Sequence, residues 1–330
     1  MRVQVRPELL RWARERAGLS LDALAHRMPH LAAWEQGQEQ PTLKQLEKFA
    51  RATYAPLGFL FLPAPPHEEV PIPDFRTLGN ARIDRPSPDL LETIYICQQR
   101  QEWYRDFARS EGETGLAFVG SATLASDVTV TATAMRSALG FSVAERRAAS
   151  TWTEALRRFI EQADELGVLV MVSGVVGNNT RRKLAPAEFR GFALSDNLAP
   201  LVFINGADTK AAQMFTLAHE LAHLWLGQSA LSDLSPIAAP SNDVERWCNL
   251  VAAELLVPAA LLTGEFRATT HIQAEAERLA RVFKVSTLVV IRRLHDVGAL
   301  SRETMWRAYE AELERLLAIE REPGGNFYLT

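Results

Sequence analysis

Two cysteines, Cys97 and Cys248, are the only thiols among 330 residues. They make no C-x-x-C pair and no disulfide framework, which fits a reducing compartment. Histidine is also sparse, with 7 in the chain. Positive charge is not in excess: the formal net charge is −4, so no global basic field attracts nucleic acid, and any DNA contact would need a local patch. The first residues, Met-Arg-Val-Gln-Val-Arg-Pro-Glu, hold no apolar signal core. No apolar run approaches the roughly 18 residues that span a bilayer. A cytoplasmic protein without a membrane partner is expected. With 47% hydrophobic and 23% charged residues, the composition is that of a globular chain long enough for two or three domains.

Two of the 7 histidines flank a glutamate in His219-Glu220-Leu221-Ala222-His223. On a helix, positions i and i+4 share a face, so His219 and His223 can grip one metal ion. Glu220 stands beside them, placed to act as general base toward an attacking water. The surroundings agree. Leu201–Ile204 reads as a short strand, 205–208 as a turn with Asp208 as helix cap, and a helix runs from about Thr209 to Leu226, ending at Gly227. That helix is apolar (Met214, Phe215, Leu217, Leu221, Leu224, Trp225), and on it two histidines and a glutamate are costly unless paired or metal-bound.

A catalytic zinc needs a third protein ligand. Asp233, Asp243, Glu245, Glu254 and His271 lie downstream. Residues 243–257 form a helical pattern in which Glu245, Asn249, Ala252 and Leu256 share a face. Glu254, nine residues after Glu245, points about 180° away, so one of the two can face the metal and the other cannot. Glu245 is preferred, with Glu254 as the alternative: Asn249 lies one turn on and can orient it, and Ala252 and Ala253 allow close helix approach. The expected cofactor is Zn2+, with Mn2+ or another divalent ion as substitutes.

Phe215-Thr216-Leu217-Ala218-His219-Glu220-Leu221-Ala222-His223, followed by Glu245, Asn249, Ala252-Ala253 and Leu255-Leu256-Val257-Pro258, resembles the ImmA/IrrE family of metallo-endopeptidases over at least residues 165–262. The resemblance implies a small zincin-like α/β domain that cleaves a protein partner, often a helix-turn-helix repressor. It implies His219, His223 and a Glu at 245 as metal ligands and Glu220 as base. Cys248 stands where the family usually has alanine, and Val251 replaces a common Phe.

The N-terminal residues 8–53 read as a small helical unit, with Ser20 as a helix cap and Pro41-Thr42-Leu43 opening a helix through Ala52. Gly18-Leu19-Ser20, Leu24-Ala25, Trp34-Glu35-Gln36-Gly37 (read as a turn) and Pro41-Thr42-Leu43 resemble the Xre-type helix-turn-helix family. The departure is that only His26–Ala33, interrupted by Pro29, fill the space of the recognition helix. Residues 1–55 carry nine basic and six acidic groups, a net +3, modest for a phosphate reader. A degenerate docking or dimerisation fold is as well supported as DNA binding.

Residues 56–77 are proline-rich and read as a linker, with the apolar run Leu57–Leu62 packing on a neighbouring domain. Residues 78–165 read as helical, with Leu90, Ile94, Tyr95, Trp103 and Phe107 as core and Thr151/Glu154 as a capping box. Strands are expected at 167–172, 189–195 and 200–204, and Arg181-Arg182-Lys183 as a solvated basic loop. The last of these strands, just before the metal helix, is the expected sheet edge for an extended substrate. Residues 277–294 have helix-turn-helix spacing, with Arg292 and Arg293 within reach of phosphates, although a hairpin completing the peptidase core is preferred. An amphipathic helix at 302–319 and a Gly324-Gly325 tail follow.

The fold expected is α+β and mostly helical: an Xre-like helical domain (1–55), the linker (56–77), a helical region (78–165), a zincin-like metallopeptidase core with a small antiparallel or mixed sheet (166–265), and C-terminal helices (266–330). The expected function is zinc-dependent cleavage of a partner, a transcriptional repressor, in stress response or in mobile-element or toxin–antitoxin regulation. The competing reading is a DNA-binding regulator in which the zincin fold senses or docks without proteolysis.

Overall fold

The computed structural model describes residues 2–75, 77–78, 81–82, 86–232, 242–268 and 271–321. Contacts divide the chain into two compact units, Met1–Pro71 with Ile83–Tyr95, and Ile72–Arg82 with Ile96–Thr330. The result is mostly helical α+β, with a small mixed sheet in the second unit.

In the first unit, α1 (Pro7–Arg16) opens on proline, whose missing N–H costs nothing at that position, and buries Leu9, Leu10 and Trp12. Helix α2 (Leu21–Ala25) is capped by Ser20, which accepts from the Ala23 N–H at 3.1 Å. Pro29 separates it from α3 (Leu31–Glu35), which has 5 residues. Trp34 and Glu35, expected in a turn, instead close α3; Trp34 is buried, and Glu35 accepts two hydrogen bonds from Arg14 at 2.7 and 2.9 Å. Helix α4 (Leu43–Thr53) has a reciprocal capping box between Thr42 and Gln45. The apolar run 57–62 forms a 3₁₀ turn (Leu57–Phe61) whose Leu60 is buried with Leu9, Trp12 and Phe49. The run thus packs, as expected, on the neighbouring helices α1 and α4 and completes their core.

Two short strands, β1 (Thr77–Leu78) and β2 (Ala81–Arg82), pair antiparallel. Helices α5 (Pro88–Ser110), α6 (Val128–Leu139), α7 (Val143–Ala148) and α8 (Trp152–Glu165) follow. On α5 the expectation for the aromatics fails. Leu90 and Ile94 are buried, but Trp103 is 70% exposed and Phe107 45%, the two rings stacked at 6.1 Å. Trp103 lies nine residues from Ile94, about 180° round the helix. Polar Gln101 is the buried residue there, donating to the Leu194 and Ala199 carbonyls at 2.9 and 2.8 Å. At α8, Thr151 accepts from the Glu154 N–H, but the Glu154 carboxylate accepts from Ser150, one residue upstream of the expected box.

The main sheet has the order β3-β7-β6-β8, from β3 (Leu169–Ser173), β7 (Leu201–Asn205), β6 (Gly191–Leu194) and β8 (Ala230–Leu231). Strand β7 runs parallel to β3 and antiparallel to β6. It is interior and buried throughout, so it offers no edge to a substrate; that expectation is overturned. Arg181-Arg182-Lys183 also differ from expectation. They lie in β5 (Asn179–Lys183), which pairs with β4 (Val175–Val176), and Arg182 is buried.

Helix α9 (Lys210–Leu226) packs on β6, β7 and α8. Its cap is Thr209, not Asp208: Thr209 accepts from the Ala212 N–H at 3.1 Å, while Asp208 accepts from the Thr209 N–H at 2.8 Å. It stops at Gly227 in the left-handed region, φ +70°, where a Cβ would lie 2.9 Å from Gly120 Cα. Helix α10 (Asp243–Leu256) lies against α9 and α6. Helices α11 (Ala259–Glu265), α12 (Ile272–Phe283), α13 (Thr287–Asp296) and α14 (Arg302–Arg321) complete the chain. Leu279, Phe283, Val290 and Leu294 of α12 and α13 join the cluster that holds Leu217, Leu221 and Leu255. Arg293 is buried, ion-paired with Glu254 and donating to the Val257 carbonyl, so it is not available to phosphates. No single described helix is long and apolar enough to cross a membrane.

Candidate metal centre

The i, i+4 spacing on α9 puts both histidines on the face that α10 covers. His219 Nε2 and His223 Nε2 are 3.1 Å apart. Glu245, in the first turn of α10, brings Oε2 to 3.3 Å from His219 Nε2 and Oε1 to 3.0 Å from His223 Nε2. All three side chains are buried, and their ligand atoms lie within 4.8 Å of one another. Ligand atoms about 3.3 Å apart are what a tetrahedral ion with bonds of ~2.0–2.1 Å requires.

The alternatives for a third ligand are placed elsewhere. Glu254 is buried by Arg293 and accepts weakly from the Ala259 N–H at 3.3 Å. Asp243 is exposed and pairs with Arg246; His271 is exposed at the start of α12. Asp233 lies outside the described residues.

Asn249 contacts a different partner from the one expected. Its Oδ1 lies 3.0 Å from His219 Nδ1. An amide oxygen only accepts, so Nδ1 carries the proton and His219 Nε2 turns its lone pair to the centre. Two imidazole nitrogens and a carboxylate then converge, all three side chains buried. Such a donor set fits a divalent cation.

The electrostatics separate two carboxylates of one site. Burial works against ionising Glu245, but the His219 and His223 imidazoles outweigh it and hold its carboxyl down at about 2. Burial pushes Glu220 well above the usual carboxylate range, and the Glu245 charge adds to that; a hydrogen bond from Ser232 opposes both. Burial pulls His223 down, against its hydrogen bond to Glu245. Burial also pushes the Cys248 thiol well up, with Glu245 and Glu220 adding, so it is a neutral packing group beside the site.

Glu220 is buried among polar neighbours that no spacing in the sequence indicates. Ser232, just past β8, donates to Glu220 Oε2 at 3.1 Å and lies 3.3 Å from His223 Nε2. The other oxygen, Oε1, has no hydrogen-bond partner among the described residues. Gly191 makes room for it: a Cβ there would meet Thr216 Cγ2 at 2.5 Å, the Phe203 carbonyl oxygen at 2.8 Å and Glu220 Oε1 at 3.3 Å. Phe75 stacks on His223, ring centroids 6.4 Å apart. Ser232 and Phe75 are brought in by the sheet, which is why the helical signature gives no sign of them.

This geometry defines a metallopeptidase-type site: two histidines from one helix, a glutamate from the next, and a second carboxylate beside them. Residues 163–295 match the family Peptidase_M78, the IrrE N-terminal-like domain. No curated protein gives a significant match to the chain. The chain thus contains an IrrE N-terminal-like metallopeptidase domain, with His219, His223 and Glu245 as its candidate metal-binding triad.

Proposed function

We propose that this protein is a zinc-dependent endopeptidase of the cytoplasm that cleaves a protein partner, a helix-turn-helix repressor, in stress response or mobile-element regulation. The observation that carries the peptidase reading is the division of labour between two neighbouring carboxylates. Glu245, held ionised beside two imidazoles, suits a ligand; Glu220, lifted by burial well above the usual carboxylate range, suits taking up and returning a proton.

His219, His223 and Glu245 would hold the ion, and Asn249 would fix the His219 ring. A bound divalent cation supplies Lewis-acid polarisation of the scissile carbonyl. Glu220 takes a proton from the attacking water at Oε1, the oxygen left open by Ser232, and returns it to the leaving amine. Ser232 keeps the Glu220 carboxylate aimed while it does so.

The repressor as partner rests on the family resemblance and on the helical unit α1–α4. Direct DNA binding by that unit draws less support. Arg14 and Arg16, which the net +3 counts, are engaged internally by Glu35 and Glu68. The test is incubation of the zinc-loaded protein with small repressors encoded beside its gene. One specific cut, lost on chelation and in Glu220→Gln, supports the reading. A zinc-free purified protein, or cutting that survives Glu220→Gln, refutes it.

A further inference from the structure

The edge of the sheet that lies nearest the metal centre is β8, and it carries a strand of the chain's own. Asp74 forms a parallel bridge to Leu231. The Phe75 N–H donates to the Leu231 carbonyl at 2.9 Å, and the Leu231 N–H donates to the Pro73 carbonyl at 2.8 Å. Leu231 precedes Ser232, the residue that touches both Glu220 and His223. The Phe75 ring lies over His223 at an interplanar angle of 21°. An extended backbone thus pairs with the residue next to Ser232, the hydrogen-bond partner of Glu220, with an aromatic ring facing His223.

The pairing is limited on its N-terminal side. Pro71 and Pro73 have no N–H to give, so the ladder cannot lengthen toward the N-terminus. By contrast, β3 and β7 pair over five residues in register. Among the described residues the strap is held by one bridge, and a strand held so opens more readily than one held by five. Prolines also pre-set an extended backbone, the form in which a polypeptide adds to a sheet edge.

We propose that Pro73–Phe75 is a displaceable strap: it occupies the edge of β8 where an extended polypeptide pairs, with Phe75 standing in for an apolar side chain of that polypeptide beside His223. This rests on the peptidase reading above. Full activity then requires a partner strand to displace the strap, and the strap disfavours polypeptides without a bulky apolar residue at that place.

The test uses the full zinc-loaded chain and two variants, Phe75→Ala, which removes the ring, and Phe75→Pro, which removes the N–H donor. Hydrogen exchange at Leu231 should be at least tenfold faster in both variants, with Val202–Ile204 unchanged. A fluorescein-labelled peptide of residues 70–78 should bind both at least fivefold more tightly than the unaltered protein. Cleavage of β-casein, an unfolded substrate, should rise by a similar factor. Leu231 exchanging as slowly as β7 in all three proteins, or peptide affinity unchanged by either variant, overturns the strap. If the peptide binds as expected and no protein cleaves β-casein, the peptidase reading fails and the strap stands. If all three cleave alike and bind the peptide alike, the strap fails and the peptidase reading stands.

Discussion

His219 Nδ1 donates to Asn249 Oδ1 across 3.0 Å, joining the two helices that supply the metal ligands. This one hydrogen bond fixes which ring nitrogen of His219 faces the centre. Removing the acceptor frees the ring to rotate and to change tautomer. Asn249→Ala should lower zinc affinity by about 10–100-fold, the usual cost of losing such an outer partner. Chelator competition on the purified protein measures it.

In the proposed mechanism Glu220 moves a proton and does not bind the ion. Glu220→Gln keeps the volume and the Ser232 contact and removes the base. Zinc should remain at one ion per chain, while cleavage falls by a factor of about 10²–10⁴. Retained cleavage would remove Glu220 from the mechanism.

The Glu245 carboxyl titrates near 2 in the folded chain, against an ordinary value of 4.5. A depressed folded value means that its stabilisation is complete above pH 4.5 and is lost as pH falls toward 2. Metal-free protein should lose stability through that window, and Glu245→Gln should flatten this part of the curve. Urea unfolding at stepped pH values gives the comparison.

Glu254 and Arg293 form a buried ion pair between α10 and α13. Truncating one partner strands a charge, which costs about 3–5 kcal/mol. Arg293→Met should therefore lower the unfolding midpoint sharply, and Arg293→Met with Glu254→Met should recover most of the loss. Neither change should alter zinc stoichiometry, because Glu254 is not at the metal centre.

Gly191 faces both the sheet and the Glu220 carboxylate. Gly191→Ala places a methyl against the Phe203 carbonyl oxygen at 2.8 Å, a backbone atom of a central strand that has little room to yield. A loss of roughly 1–3 kcal/mol is expected from the overpacking, together with weaker cleavage as Glu220 is displaced. Thermal unfolding and single-turnover cleavage read the two effects separately.

The exposed Trp103 and Phe107 show where a periodic pattern misleads. Helical spacing says which residues share a face, but not which face is covered. On α5 the inward position belongs to Gln101, because the Leu194 and Ala199 carbonyls need its amide. The same limit explains β7. A short apolar strand reads identically at an edge or in the middle of a sheet, and only its pairing with both β3 and β6 decides.

What the sequence by itself determined is local. The spacing of His219, Glu220 and His223 follows from the helical repeat, and Glu245 and Asn249 share a face for the same reason. The caps at Ser20 and Thr151 and the stop at Gly227 need only neighbouring backbone. Tertiary structure decided everything that depends on distant chain meeting: that Glu245 rather than Glu254 reaches the histidines, that Asn249 serves His219, and that Ser232 and Phe75 complete the site. Those contacts join segments up to 148 residues apart, from Phe75 to His223, and no periodicity encodes which of them will touch. Packing of sheet on helix settles that, because it must bury both apolar faces at once.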